Sequence, residues 1–346
     1  MTRKDTCRIA SVLHQYAIFA ERQYTSIVKS PDVFRWRIYV GRKEEELKQW
    51  DAVPKDHASG RSKAEKVLAE DRARLQEYDQ QQNAFLVQAL EMYSCTLQYS
   101  DDFDDYSIIR FCSLWFANFD RTVGDFQGII SQMAGRISSR KFVFLAHQLS
   151  ARLSRPEKSS GSRQPAQQGN LRSVVLRMCR EHPFHALYPV FCLRGDSKLD
   201  GSRRQSARNE PISSQAERVA AAKDIFRSLL SYPQCQERVK AVELVCRASL
   251  EWAQHPVKNV HQAAKKAGKP PPSRVPPGLQ ILSIKDMKVP VTTAHLPVDT
   301  TCRYDSFVWI SRFEDSYATA GGINIPKITK CVGSDGHPYK QLVSLF

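Results

Sequence analysis

Along the first hundred residues, apolar positions recur at intervals of three and four. Between Asp5 and Ser30 they fall at Ile9, Val12, Leu13, Tyr16, Ala20, Tyr24 and Ile27, a stripe that predicts an amphipathic helix ended by Pro31. A second helix is predicted from Asp32 to Gln49, with Glu44, Glu45 and Glu46 in water. Arg61 to Tyr99 reads as a long charged helix that grows more apolar toward its end, from Val67, Leu68, Leu75 and Tyr78 to Phe85, Leu86, Ala89, Leu90 and Tyr93. The acidic run Asp101-Asp102-Phe103-Asp104-Asp105 suits a helix N-terminus, where negative charge meets unpaired N–H groups. Helix capping is therefore preferred over a metal site for it, and Ile108, Phe111, Cys112, Trp115 and Phe116 form the expected buried face of the helix that follows.

Further helices are predicted at Asp125 to Arg136, Ser139 to Leu153 with Phe142, Leu145, Leu149 and Leu153 inward, Leu171 to His182, Gln215 to Leu230 and Gln234 to Gln254. No strict repeat is visible. Short helices joined by loops nevertheless imply an antiparallel stack, an α-solenoid covering residues 1–255. The stretch 256–278, with Pro270-Pro271-Pro272 and Pro276-Pro277, cannot continue a helix and reads as a basic, semi-rigid linker. Beyond it, in 279–346, the pattern changes to strands: Leu279 to Leu282, Val289-Pro290-Val291, Phe307 to Ile310 and Ile323 to Ile328, with turns at Gly321-Gly322 and Ser334-Asp335-Gly336. The fold class is mostly α, with a short, incomplete β-rich segment at the end.

Composition narrows the setting. Nine cysteines, odd in number and scattered, fit reduced thiols, and no apolar run approaches membrane-spanning length. The net charge of +15 invites a nucleic-acid reading. Its basic segments, Arg152 to Arg163, Arg194 to Arg208 and Lys258 to Arg274, are rich in Ser, Gly, Gln and Pro and poor in aromatic residues, so solvated loops are expected in place of direct DNA binding. Cys179, His182, His185 and Cys192 have zinc-ligand chemistry at short spacing. A helix end, Pro183 and an apolar run separate them, so a packed helix junction is expected and no metal.

A Gly-Gly turn between strands brings backbone N–H groups close to a phosphate, because no Cβ intervenes. The residues around this one, Ala320-Gly321-Gly322-Ile323-Asn324-Ile325-Pro326-Lys327-Ile328, then Cys331-Val332-Gly333-Ser334-Asp335-Gly336 and Gln341-Leu342-Val343, resemble the opening of the kinase domain in the phosphoinositide-kinase-related protein kinases. The likeness is to the ATM branch, with its fungal telomere-length and DNA-damage checkpoint kinases. Upstream, Phe19 to Tyr24, Ala69 to Arg72, Arg110 to Trp115, Lys141 to Arg152 and Glu181 to Leu187 resemble the end of the helical FAT region of the same family.

What the resemblance implies is a FAT-like region over 1–255, the linker, and a partial kinase N-lobe over 279–346. Thr319, Ala320, Gly321, Gly322, Ile323 and Asn324 would then lie over the nucleotide phosphates of the complete protein, which uses ATP and Mg²⁺ on Ser or Thr followed by Gln. It also implies a nuclear role in DNA damage and telomere maintenance, protein partners along the helices, and a homodimer of the kind the family forms. The sequence departs where the family has its ATP-pairing lysine: Gln341-Leu342-Val343 is followed by Ser344-Leu345-Phe346. No catalytic or metal-binding residue follows, so a truncated chain is expected, inactive by itself and a weak binder of ATP or Mg²⁺. Asp125-Phe126-Gln127-Gly128 only echoes a metal-binding Asp-Phe-Gly and is expected to be an interhelical turn. The alternative is a helical scaffold protein without catalysis.

Overall fold

The computed structural model describes residues 3–50, 58–121, 125–154, 166–194, 212–256, 273–320 and 326–344. They fall into two compact units, Met1–Lys141 and Phe142–Phe346. The expected boundary at 256–278 therefore lies inside the second unit, with residues 257–272 outside the described ones.

The first unit is helical. It contains α1 (Arg3–Val28), α2 (Pro31–Trp50), α3 (Ala58–Tyr99), α4 (Asp104–Ala117) and α5 (Phe126–Arg136). α3 is its spine, with α1, α2, α4 and α5 all packed against it. The large apolar residues of α1 do not all turn inward. Ala10, Ala17 and Ala20 are fully buried, whereas Ile9, Tyr16 and Phe19 are exposed and Val12 is 70% exposed. Methyl-sized side chains let α1 approach α3, where Ala89 and Leu90 are fully buried. Across this contact Tyr93 donates to the buried Glu21 carboxylate at 2.7 Å, and the Arg110 guanidinium of α4 pairs with the same carboxylate. Two turns earlier in α1, His14 stacks on Phe103 with ring centroids 4.5 Å apart and meets Ser107 Oγ at 3.2 Å.

The acidic run before α4 serves differently from the expectation. Asp104 and Asp105 do occupy the first helical turn, but the N-cap is Phe103, which makes no side-chain cap. Asp101 and Asp104 instead pair with Lys141, whose ammonium lies 2.9 and 2.6 Å from them and 2.7 Å from the Ser100 carbonyl. A buried cation requires such partners, and they outweigh capping. Asp125 does cap α5, accepting from the Gly128 N–H at 3.1 Å, so Asp-Phe-Gln-Gly is the cap and first turn of that helix and not the interhelical turn expected of it.

The predicted helix from Ser139 to Leu153 is broken into α6 (Ser139–Phe142), a 3₁₀ turn (Val143–Leu145) and α7 (Ala146–Ala151). The second unit continues with α8 (Ala166–Glu181), α9 (Pro183–Leu193), α10 (Ile212–Leu230) and α11 (Pro233–Gln254). The sequence reading did not anticipate α9. Pro183 stops α8, but at the first helical position of the next helix proline loses nothing, because that N–H has no intrahelical partner. α8, α9, α10 and α11 pack on one another around Val175, Leu187, Ile225 and Val239.

The chain then forms an antiparallel sheet: β1 (Ser273–Arg274), β2 (Lys285–Pro290), β3 (Trp309–Thr319), β4 (Lys327–Gly333) and β5 (Pro338–Val343). β3 is central, with β1 and β2 along one side and β4 then β5 along the other. Gln280–Ser283, expected as strand, is a short 3₁₀ turn against α11. The β4–β5 reversal fits its sequence. Gly336 adopts φ +78°, and the Asp335 carboxylate accepts from the His337 N–H at 3.0 Å. The observed architecture is thus the expected one: stacked antiparallel helices followed by a small β-rich segment.

Candidate functional site

The hairpin between β3 and β4 carries the candidate nucleotide turn. Thr319 pairs with Lys327 across the ladder, and the Ala320 N–H donates to the Pro326 carbonyl at 2.8 Å. Thr319 and Ala320 therefore form the stem. Gly321, Gly322, Ile323 and Asn324 lie outside the described residues.

Lys327, in the stem itself, is buried at 3% exposure. Its ammonium donates to the Trp252 and Ala253 carbonyls at 2.6 and 2.9 Å, and sits 4.7 Å from the centroid of the Trp252 ring. Those carbonyls belong to the last turn of α11, where backbone acceptors lack helical partners and a cation meets the negative end of the dipole. Burial nevertheless lowers the Lys327 pKa. From β3, Tyr317 meets the Trp252 ring edge-on at 4.8 Å. The end of α11 and both strands of the hairpin thus share one anchor.

This geometry limits what the stem offers a nucleotide. The Ala320 N–H is engaged by Pro326 and the Lys327 ammonium by helix carbonyls, so neither group is held ready for a phosphate. At the other end of β4, Gly333 is closely surrounded: a Cβ there would stand 2.6 Å from Val308 Cγ1 and 2.9 Å from the Tyr339 ring.

Cys179, His182, His185 and Cys192 do not converge. Cys179 is buried with its thiol toward the Ala186 carbonyl, and Cys192 is exposed. The helix junction expected there is observed, with Phe184 and His185 packed around Tyr304. Burial lowers the His185 pKa despite a backbone hydrogen bond that acts oppositely. Sequence reasoning passed over Lys327 as an ordinary strand residue, and missed Trp252 and Tyr304 altogether. Their partners lie 75 and 122 positions away, so no local spacing marks them.

Comparison with known proteins places this geometry. Over 343 residues, 98% of the chain, the sequence is 29% identical to the serine/threonine-protein kinase TEL1 of Cryptococcus neoformans. Over 296 residues, 81% of the chain, it is 30% identical to the serine-protein kinase ATM of Sus scrofa. The chain spans about a tenth of the length of these curated relatives, 11% of the first and 9% of the second. Among solved structures, the FAT and kinase domain of CtTel1 matches with a TM-score of 0.74 at 24% identity, over 96% of this chain and 21% of that one. A complete CtTel1 dimer with C2 symmetry also gives 0.74 at 24% identity, over 97% of this chain and 11% of that one. No protein-family model matches. The fold defines the class: a FAT-type helical stack followed by a sheet of the kind found at a kinase N-lobe. The chain belongs to the ATM/Tel1 branch of the phosphoinositide-kinase-related protein kinases.

Proposed function

We propose that these residues form the FAT-to-kinase junction of an ATM-like serine/threonine protein kinase acting in the nucleus, in the DNA damage response and telomere maintenance. The relatives' names support the kinase class, and the family resemblance of the sequence supports the cellular role. In the complete protein, ATP with Mg²⁺ supplies the phosphoryl group for a Ser or Thr followed by Gln. This chain's own part is to hold and shape. The β3–β4 hairpin, closed by the Thr319–Lys327 pair and anchored on α11, would present Thr319 to Asn324 to the nucleotide phosphates. Backbone N–H groups suit that task because they stabilise phosphate charge without a side chain that must reorganise.

The anchored hairpin carries this reading. The test is nucleotide binding by the full-length protein carrying Gly322→Val. Weakened ATP affinity with an unchanged thermal midpoint supports the reading, and unchanged affinity overturns it. Protein partners on the helical face and homodimerisation belong to the same proposal, the second supported by the C2-symmetric dimer named for CtTel1.

A second reading, a helical scaffold without catalysis, draws on the commitment of Lys327 to α11. It predicts no nucleotide binding even in a full-length protein with an intact turn.

A further inference from the structure

Where α8 ends and α9 begins, the loop between β2 and β3 folds back against the junction. Glu181 is the last residue of α8, and His182 is the residue that precedes α9 and accepts its first N–H groups. Cys302 comes from the loop. One ligand atom from each of these three residues lies within 4.8 Å of the other two. The Cys302 Sγ stands 3.9 Å from His182 Nε2. Two zinc ligands at about 2.3 Å (thiolate) and 2.05 Å (imidazole) subtend roughly 3.6 Å at a tetrahedral angle, so the pair needs to close by only a few tenths of an ångström.

The surroundings hold these atoms in place. Tyr304 Oη meets His182 Nδ1 at 2.8 Å, and with Nδ1–H donating to that oxygen, Nε2 turns its lone pair toward Cys302. The loop is shaped to permit it. Cys302 and Tyr304 both adopt positive φ, 62° and 54°, a conformation costly for residues with a Cβ. Asp299 fixes that shape, its carboxylate accepting from the Thr301 N–H and Oγ1–H at 2.8 Å and from the Tyr304 N–H at 2.7 Å. His182 is fully buried and Cys302 half-buried, whereas the Glu181 side chain is 28% exposed. The cluster therefore opens to water on one side, which gives an ion its route in and a water molecule its place as a fourth ligand. Glu181 also pairs with Arg180 at 2.9 Å, and a carboxylate has two oxygens to serve both partners.

We propose that Glu181, His182 and Cys302 bind a divalent transition metal, zinc by the chemistry of the set, as a three-residue site completed by water. One borderline-soft thiolate, one imidazole and one carboxylate suit Zn²⁺ and reject Mg²⁺ and Ca²⁺, which require oxygen ligands. The thiol is poised against ionising without a cation. Burial raises its pKa first, and the nearby Glu181 and Asp299 carboxylates add to that. Zn²⁺ would displace the thiol proton to solvent and offset both effects. The bound ion would tie the α8–α9 junction to the loop ahead of β3, all within the second unit. This proposal does not depend on kinase activity.

The test uses the full 346-residue chain, stripped of metal and titrated with Co²⁺ as a spectroscopic stand-in for Zn²⁺. Tetrahedral visible bands with a thiolate-to-cobalt charge-transfer band, saturating at one ion per chain and displaced by Zn²⁺, are expected. Cys302→Ser should abolish the charge-transfer band while leaving the far-ultraviolet dichroism unchanged. Glu181→Gln and Tyr304→Phe should each weaken Co²⁺ binding by about 10-fold or more, the second without removing a ligand. His182 is buried, so its replacement is unsuited as the primary evidence. A charge-transfer band that survives Cys302→Ser would assign binding to other cysteines and overturn the proposal, as would the absence of any tetrahedral spectrum at excess Co²⁺.

Discussion

The Lys327 ammonium lies 4.7 Å from the centroid of the Trp252 ring and donates to the Trp252 carbonyl as well. One residue of α11 thus receives the same cation through its ring and its backbone, and the strand leaving the candidate nucleotide turn is fastened to a helix end. Lys327→Met keeps the stem against Trp252 but removes the ammonium donor from the Trp252 and Ala253 carbonyls, leaving the first with only the His255 N–H at 3.3 Å. A loss of about 2 kcal/mol is expected, within the range for removing one side of a buried charge-assisted hydrogen bond. Urea unfolding of the second unit would read it. A variant as stable as the parent would show the anchor to be incidental.

Two glycines near the β4–β5 reversal separate two kinds of constraint. Gly333 is limited by space and Gly336 by its backbone angle, with open space around it. Gly333→Ala should cost about 1–3 kcal/mol through overpacking. Gly336→Ala should cost about 1 kcal/mol through the left-handed φ. Gly336→Asn should recover part of that loss, because asparagine tolerates this region, whereas Gly333→Asn should recover none. Chemical denaturation of the four variants would check the pattern.

In the first unit, burial lowers the pKa of His14 below its ordinary value near 6.5. The folded protein then holds a neutral ring where the unfolded chain takes up a proton. The associated stability is present above the unfolded pKa and lost as the pH falls through about 6.5 toward the lower folded value. His14→Phe keeps a ring stacked on Phe103 and cannot titrate. Its thermal midpoint should depend less on pH between about 7 and 5 than that of the parent, as followed by circular dichroism. Equal slopes would remove His14 from the acid response.

Much of the architecture was legible in local signals. Pro31 separates α1 from α2, Pro233 opens α11, and Ser334-Asp335-Gly336 makes the turn expected of it. Other features were hidden because one residue type serves opposite purposes. Pro183 ends α8 and begins α9, and only the second role shows that Phe184 to Leu193 is helical. The apolar run Leu279 to Leu282 had the composition of a strand, but packing against α11 makes most of it a 3₁₀ turn. The stem of the candidate site was readable from its glycines and alternation. Its anchor was not, since Lys327 and Trp252 acquire their roles only when a helix end and a strand separated by 75 positions meet.

The seam of α1 reverses the usual rule for guessing which positions matter. Where two helices touch through methyl groups, the residue that tolerates least is the smallest one, and the bulky neighbours on the outer side are nearly free to vary. Ala17→Val should destabilise the first unit by about 1–3 kcal/mol, and Val12→Thr by less than about 0.5 kcal/mol, as thermal unfolding of each would show. Ranking this helix by greasiness would therefore place its indispensable positions last.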